Sequence, residues 1–227
     1  MSAGSQQMQQ PATPSFSIIA VLTGIAMISG FLVVLSSQLT APLIAENQRL
    51  AIEAAVTKVI PGSVTHREFV LLDNALKPAE KGVEGQAIYA GYDVDGKLLG
   101  IAAKAGAQGY AGMIYLLYGY DPQCQCIRGI KVLKMAETPG LGDKIIKDDD
   151  FQANFDQLDA RLDPQQIALL NPIVTVKHGS KKEAWEVDAI SGATISSKAV
   201  GKALNESAQS LLPKLLPLID QLKRPEQ

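Results

Sequence analysis

From Ile18 to Leu35 the chain is apolar at nearly every position, broken only by Thr23, Gly24, Ser29 and Gly30, and no charged side chain precedes Glu46. With its flanks, the run predicts one helix over 16–38, about long enough to cross a bilayer. A cleaved signal peptide fits less well. The run exceeds the usual apolar region of one, has no basic segment before it, and no small-x-small cleavage site follows it. Farther on, Leu43, Ile44, Leu50, Ile52, Val56, Val59 and Ile60 alternate with Glu46, Arg49, Glu53 and Lys58. That spacing predicts an amphipathic helix over 43–60, with Pro42 at a bend and Pro61-Gly62 as its stop.

The pattern then changes to the period of strands. Residues 87–93 and 97–103 flank Asp95-Gly96, a hairpin signal, and 113–120 and 127–135 form a second pair around Asp121-Pro122-Gln123. Residues 144–157 read as helix with loop, and 173–177 and 184–187 as two short strands around His178-Gly179-Ser180. Over 196–212 a helix is predicted, with Ala199, Val200, Ala203, Leu204, Ala208, Leu211 and Leu212 on one face, broken by Pro213 and Pro217. The order predicts an α+β protein: one N-terminal transmembrane helix, then a single domain of β-strands packed with helices over 61–213. Residues 1–15, rich in Gln, Ser and Pro, read as a mobile tail, and 214–227 as a C-terminal tail.

Composition narrows the function. A net charge of −2 gives no polybasic surface, which argues against nucleic acid as a partner. No G-x-G-x-x-G run marks a pyridine-nucleotide site. Cys124 and Cys126 offer at most half a metal site, and His66 and His178 lack ligand spacing, so no metal is expected. A disulfide between cysteines so close would be strained, and two free thiols are the expectation. The apolar run holds no ionisable residue, so it offers no ion path of its own. Arg49, the first basic residue after the anchor, taken alone would place the following domain in the cytoplasm.

Two segments carry candidate chemistry. Glu137-Thr-Pro-Gly-Leu-Gly142 follows a predicted strand; its glycines permit a tight turn that exposes backbone amides to a flat or phosphorylated ligand, or it is an ordinary strand-to-helix loop. Asp188-Ala-Ile-Ser-Gly-Ala-Thr194 places a hydroxyl among small residues just before a helix. A phosphate ester on Thr194 would sit near helix-start N–H groups, where negative charge is stabilised. The plainer alternative makes Thr194, Ser196 or Ser197 a helix cap.

The segment at 188–194 resembles the flavinylation motif of the FMN-binding domain family. That at 137–142 resembles the family's second hallmark, and Gly109-Tyr-Ala-Gly112 resembles a third, with Met113 departing from the proline many relatives carry. Within the family, the single anchor and the length are most similar to the G subunits of Rnf-type ion-translocating (ferredoxin:NAD oxidoreductase) complexes. The C subunits of sodium-pumping NADH:quinone reductases share the motifs but are usually longer. The resemblance implies a membrane-anchored electron relay carrying FMN as a phosphoester on Thr194, attached by a separate flavin transferase that uses FAD and releases AMP. It implies that Asp188, Ser191, Gly192 and Ala193 complete the transferase's recognition motif, and that Thr138, Gly140, Leu141 and Gly142 lie against the flavin. No catalytic residue is implied, because electrons pass between this flavin and cofactors of other membrane and redox subunits. It also implies a soluble domain on the outer, periplasmic face of a bacterial inner membrane, which outweighs Arg49. Glu137 would tune the flavin if close to it; a solvated loop carboxylate is the plainer reading. His178, Trp185 and Tyr110 either border the flavin or are packing and surface residues. Three alternatives remain: the C subunit of a sodium-pumping NADH:quinone reductase, a stand-alone extracytoplasmic flavoprotein, and a tethered assembly or sensor module without cofactor.

Overall fold

The computed structural model describes residues 15–72, 75–79 and 85–223. The N-terminal tail expected over 1–15 lies outside them but for Ser15, as do the last four residues of the C-terminal one. The chain divides into two compact units at Gln48 and Arg49. The first holds most of helix α1 (Ser15–Val59), which is long and apolar enough to cross a membrane and, within this unit, keeps its large apolar side chains exposed. Pro42 lies inside this helix. The two helices expected at 16–38 and 43–60 are therefore one, and Pro42 removes its own N–H without ending it.

The second unit is built on an antiparallel seven-stranded sheet. Its strands are β1 (Thr65–Leu71), β2 (Leu76–Pro78), β3 (Gln86–Tyr92), β4 (Leu98–Gln108), β5 (Met113–Asp121), β6 (Cys126–Lys134) and β7 (Leu158–Asp159), in spatial order β2-β1-β3-β4-β5-β6-β7. Between β6 and β7 lie two short helices, α2 (Lys144–Lys147) and α3 (Asp149–Ala153). Strands β8 (Val174–Val176) and β9 (Glu186–Asp188) form a separate parallel pair. Helix α4 (Thr194–Leu215), a 3₁₀ turn (Leu216–Leu218) and α5 (Ile219–Lys223) complete the described chain.

Strand alternation divides the side chains between two layers. Ile88 and Ala90 of β3, Ile101, Ala103 and Ala105 of β4, and Leu116 and Tyr118 of β5 are buried in one core with Ala203, Leu204, Ala208 and Leu211 of α4. The opposite face carries Tyr89, Ala102 and Leu117, which pack with Ala55, Val56, Val59 and Ile60 from the end of α1. That end lies so close to β5 that a Cβ at Gly119 would stand 1.9 Å from the Val59 carbonyl oxygen. Side chains of α4 also hold the loop before β8. Gln209 accepts from the Leu169 N–H at 2.8 Å and Asn205 from Ile173 at 2.9 Å.

Several expectations are corrected. Strands β1, β2 and β7 are present beyond those the sequence pattern predicts. Helix α4 runs through Pro213 to Leu215. A proline removes one bond and its ring crowds the carbonyl a turn earlier, but the buried Leu211, Leu212 and Leu215 keep this turn in place. Residues after 213 are part of the domain as far as they are described, since Leu222 is buried and the Tyr92 hydroxyl donates to its carbonyl at 3.0 Å. Cys124 and Cys126 are joined by a disulfide, not free. Gln125 between them takes a left-handed φ of 53°, and the resulting turn brings the two Cα atoms to 5.2 Å, inside the range a disulfide spans.

Candidate functional site

Three segments distant in sequence meet where β5 begins. The first is the turn between β4 and β5, closed by Gly109 N–H donating to Gly112 carbonyl oxygen at 2.8 Å, with Tyr110 at its exposed tip. The second is the loop leaving β6, where Leu141 N–H donates to Thr138 carbonyl oxygen at 3.2 Å before α2 starts. The third is the start of α4. Together they line a cleft of about 330 Å³ bounded by Tyr110, Glu137, Thr138, Leu141, Gly142, Gly192, Ala193, Thr194, Ile195 and Ser196.

The α4 end is shaped by a tight turn over 190–193. Ala193 N–H donates to Ile190 carbonyl oxygen at 3.1 Å, and Gly192 has a φ of 81°, a conformation that a side chain disfavours. Ser197, fully buried, bridges this turn. Its hydroxyl accepts from Ile190 N–H at 3.1 Å and donates to Ala193 carbonyl oxygen at 2.9 Å. The capping position belongs to Ala193, which has no capping side chain, so none of Thr194, Ser196 and Ser197 occupies the cap itself. Thr194 is the first helical residue; it is exposed, and its hydroxyl makes one long contact, 3.5 Å to Ile190 carbonyl oxygen. The first N–H groups of a helix have no acceptor within it, and in α4 they lie beside that hydroxyl.

Glu137 is buried, which corrects the expectation of a solvated loop carboxylate. One carboxylate oxygen accepts from Ala111 N–H at 3.1 Å, and the other accepts from the Ser196 hydroxyl. A Cβ at Gly109 would stand 2.5 Å from the first oxygen, and one at Gly142 would stand 2.5 Å from the second. All three segments therefore close around one side chain. Next along, Asp143 accepts from Lys147 at 2.5 Å, and this bond, opposed by burial, holds its carboxyl below the usual range.

Not every expected residue reaches the cleft. Gly140 (φ 78°) shapes the loop behind Leu141, and Ser191 is exposed beside the turn; neither lines the cleft. Asp188 points away. Its carboxylate accepts from Gly179 N–H at 2.9 Å and Ser180 N–H at 3.3 Å, and its own N–H donates to Asn154 Oδ1 at 2.9 Å. Lys181 donates to the same Asn154 oxygen at 3.1 Å, and burial lowers its pKa against the opposing charges of Asp188 and Glu186. His178 lies in this network, with Nδ1 3.0 Å from Ala189 carbonyl oxygen, and neither it nor Trp185 borders the cleft. Tyr110 does. Ile195 and Ser196 join the cleft without a sequence motif that marks them. The one signal for Ser196 is its place one turn into the helix, three residues after Ala193.

The arrangement suits a phosphorylated aromatic ligand. It combines an accessible hydroxyl, a helix N-terminus that favours an anion, and apolar walls from Tyr110, Leu141 and Ile195. Comparisons with known proteins agree. Residues 109–209 match the FMN-binding domain family. The chain is 37% identical to the G subunit of the ion-translocating oxidoreductase complex of Methanosarcina acetivorans, over 52% of this chain and 55% of that one. It is 28% identical to the G subunit of the Na⁺-translocating ferredoxin:NAD⁺ oxidoreductase complex of Acetobacterium woodii, over 86% of this chain and 90% of that one. The chain thus spans about half the length of the first relative and nine-tenths of the second. Among solved structures, NqrC of Shewanella oneidensis shares the fold, with a TM-score of 0.57 and 21% identity over 79% of this chain and 97% of that one.

Proposed function

We propose that this chain, whose residues 109–209 match the FMN-binding domain family, is a membrane-anchored electron carrier that holds FMN as a phosphoester on Thr194. The relay serves a multi-subunit ion-translocating oxidoreductase. The observation that carries this reading is the place of Thr194: first residue of a 22-residue helix, exposed, on the wall of a cleft whose other side is the 137–142 loop. An ester phosphate on its oxygen would lie beside the free N–H groups of the first helical turn, where an anion is stabilised. Tyr110, Leu141 and Ile195 supply apolar surface for a flat ring and limit water around it. Bound FMN supplies one- and two-electron chemistry. The chain's contribution is to tether it and hold it in place, not to transform a substrate.

Sequence similarity runs to G subunits, whereas the likeness to NqrC is one of fold, so the reading follows the G subunits. Their names make each a subunit of an ion-translocating oxidoreductase complex, and on that likeness the partners of this chain would be other redox and membrane subunits, with a flavin transferase needed once for maturation. The Cys124–Cys126 disulfide supports a domain on the outer face, because disulfides persist in oxidising compartments. Intact mass and in-gel flavin fluorescence of the full chain, made with and without a flavin transferase, test the reading. The flavin increment should appear only with the transferase and should vanish in Thr194→Ala. Fluorescence that survives unchanged in that variant would sink the attachment.

A further inference from the structure

Flavin attachment at Thr194 explains the hydroxyl but not the buried carboxylate beneath it. Glu137 is 7% exposed, and among the described residues no lysine or arginine lies within ion-pair distance of it. Leaving water is costly for a carboxylate unless hydrogen bonds replace its hydration. Here both oxygens act as acceptors, one from Ala111 N–H and one from Ser196 hydroxyl. This is the bonding pattern of the ionised form. The two donors belong to segments 26 and 59 residues away in sequence. Gly109 and Gly142 crowd the carboxylate so closely that a methyl group at either would collide with it. A group placed at such cost, with its neighbours trimmed to fit, has a function beyond filling the core.

We propose that Glu137 is the positioning residue of the flavin cleft. Through Ala111 it fixes the turn that carries Tyr110, and through Ser196 it fixes the helical turn that carries Thr194. It thereby sets the separation of the two walls between which the tethered ring rests. Its negative charge lies at the base of that cleft and opposes the gain of electrons by the ring. Glu137 would hold the ring through the segments it joins, and its charge would act on the ring through space. The inference rests on the reading of Thr194 as the attachment point.

The test uses the full chain, co-produced with a flavin transferase, as wild type, Ser196→Ala, Glu137→Gln and Glu137→Ala. Attachment is read by intact mass, ring mobility by fluorescence anisotropy, and redox poise by the flavin midpoint potential, with thermal unfolding alongside. All four proteins should carry flavin on Thr194. Anisotropy should fall in Ser196→Ala and fall further in Glu137→Ala, with Glu137→Gln, which keeps one acceptor, recovering most of the loss. The midpoint potential should rise in Glu137→Gln and stay near wild type in Ser196→Ala, which keeps the charge; a role in folding alone would not separate these two. If Glu137→Ala does not fold, the other two variants decide. Wild-type anisotropy in Ser196→Ala together with an unmoved potential in Glu137→Gln would overturn the inference while leaving the attachment intact. A wild-type protein without flavin on Thr194 would instead defeat the reading on which it rests.

Discussion

Strand β5 joins two ends of the same sheet that are held together in different ways. Where it ends, the turn over Asp121 to Cys126 is fastened by its own residues. Asp121 accepts from Gln123 N–H at 2.8 Å, and Cys124 bonds to Cys126 across a single residue. Where it begins, the β4–β5 turn, the loop after β6 and the first turn of α4 meet on Glu137, with no two of them neighbours in sequence. The first arrangement confines the effect of a change to the turn itself. The second transmits a change in any one segment to the other two, which suits a site whose parts must keep a fixed separation. Rigidity near a ligand here comes from long-range side-chain bonds, whereas the far turn needs only local closure.

The sharpest way to break this contrast is to place a methyl group into the shared contact. In Gly142→Ala the new Cβ would stand 2.5 Å from a Glu137 oxygen, 2.7 Å from the Glu137 Cβ and 2.8 Å from the Ser196 hydroxyl. Overpacking of this kind costs about 1–3 kcal/mol. We expect a lower midpoint of thermal unfolding and a more mobile flavin, read by anisotropy on the full chain. Gly140→Ala, two residues earlier, meets nothing within 4 Å and is limited only by its φ of 78°. It should leave ring mobility near wild type. Equal effects of the two substitutions would mean that the loop, and not its contact with Glu137, governs the cleft.

The same contrast explains what is legible in the sequence. The Asp95-Gly96 hairpin, the β5–β6 pair and the apolar face of α4 are written in local periodicity, and the structure has them within a few residues; the apolar run at 16–38 is equally plain, but its helix continues to Val59. Strand β2 is three residues long and β7 two, too short for a periodic signal. The parallel pairing of β8 with β9 depends on α4 and the loops around it rather than on either strand. At the site, the small residues around Thr194 and the glycines of 137–142 are visible because turns and close approaches demand them. The burial of Glu137 is not. A carboxylate in a Pro- and Gly-containing loop looks solvated until the distant Ser196 and Ala111 are known to lie against it. The cysteine pair misleads for the opposite reason, since its closure depends on one left-handed residue, Gln125.

At the locally held end, the disulfide offers a smaller effect. It closes so short a loop that chain-entropy arguments credit it with only about 1.6 kcal/mol. Cys124→Ser combined with Cys126→Ser should lower the unfolding midpoint by a few degrees. The mass of attached flavin and its anisotropy should remain as in wild type, because the turn lies at the other end of β5 from the cleft. A change in ring mobility in this variant would show that the two ends are coupled and that the contrast fails.

The smallest effect should come from the strand beside that turn. Asp159 of β7 pairs with Cys126 of β6, and Arg161 grips its carboxylate with two bonds of 2.9 Å. Burial pushes the Asp159 carboxyl up, but the hydrogen bonds and charge of Arg161 outweigh it, and the net pKa lies below the ordinary value. A carboxyl depressed in the folded state contributes stability above its unfolded pKa, near 3.9, and loses it as the pH falls through the folded value. In Arg161→Ala the side-chain bonds and the charge are lost and only the backbone N–H of residue 161 still opposes burial, so the variant should be the less stable protein near neutral pH. The difference should shrink below about pH 4 and vanish once Asp159 is protonated in both proteins. Arg161 is half exposed, so solvent screens the pair and the gap stays below that of the disulfide variant. Unfolding midpoints of the two proteins across an acid series measure it. A gap that widens as the pH falls would mean that the pair is not what Asp159 contributes, and flavin anisotropy should be unmoved throughout.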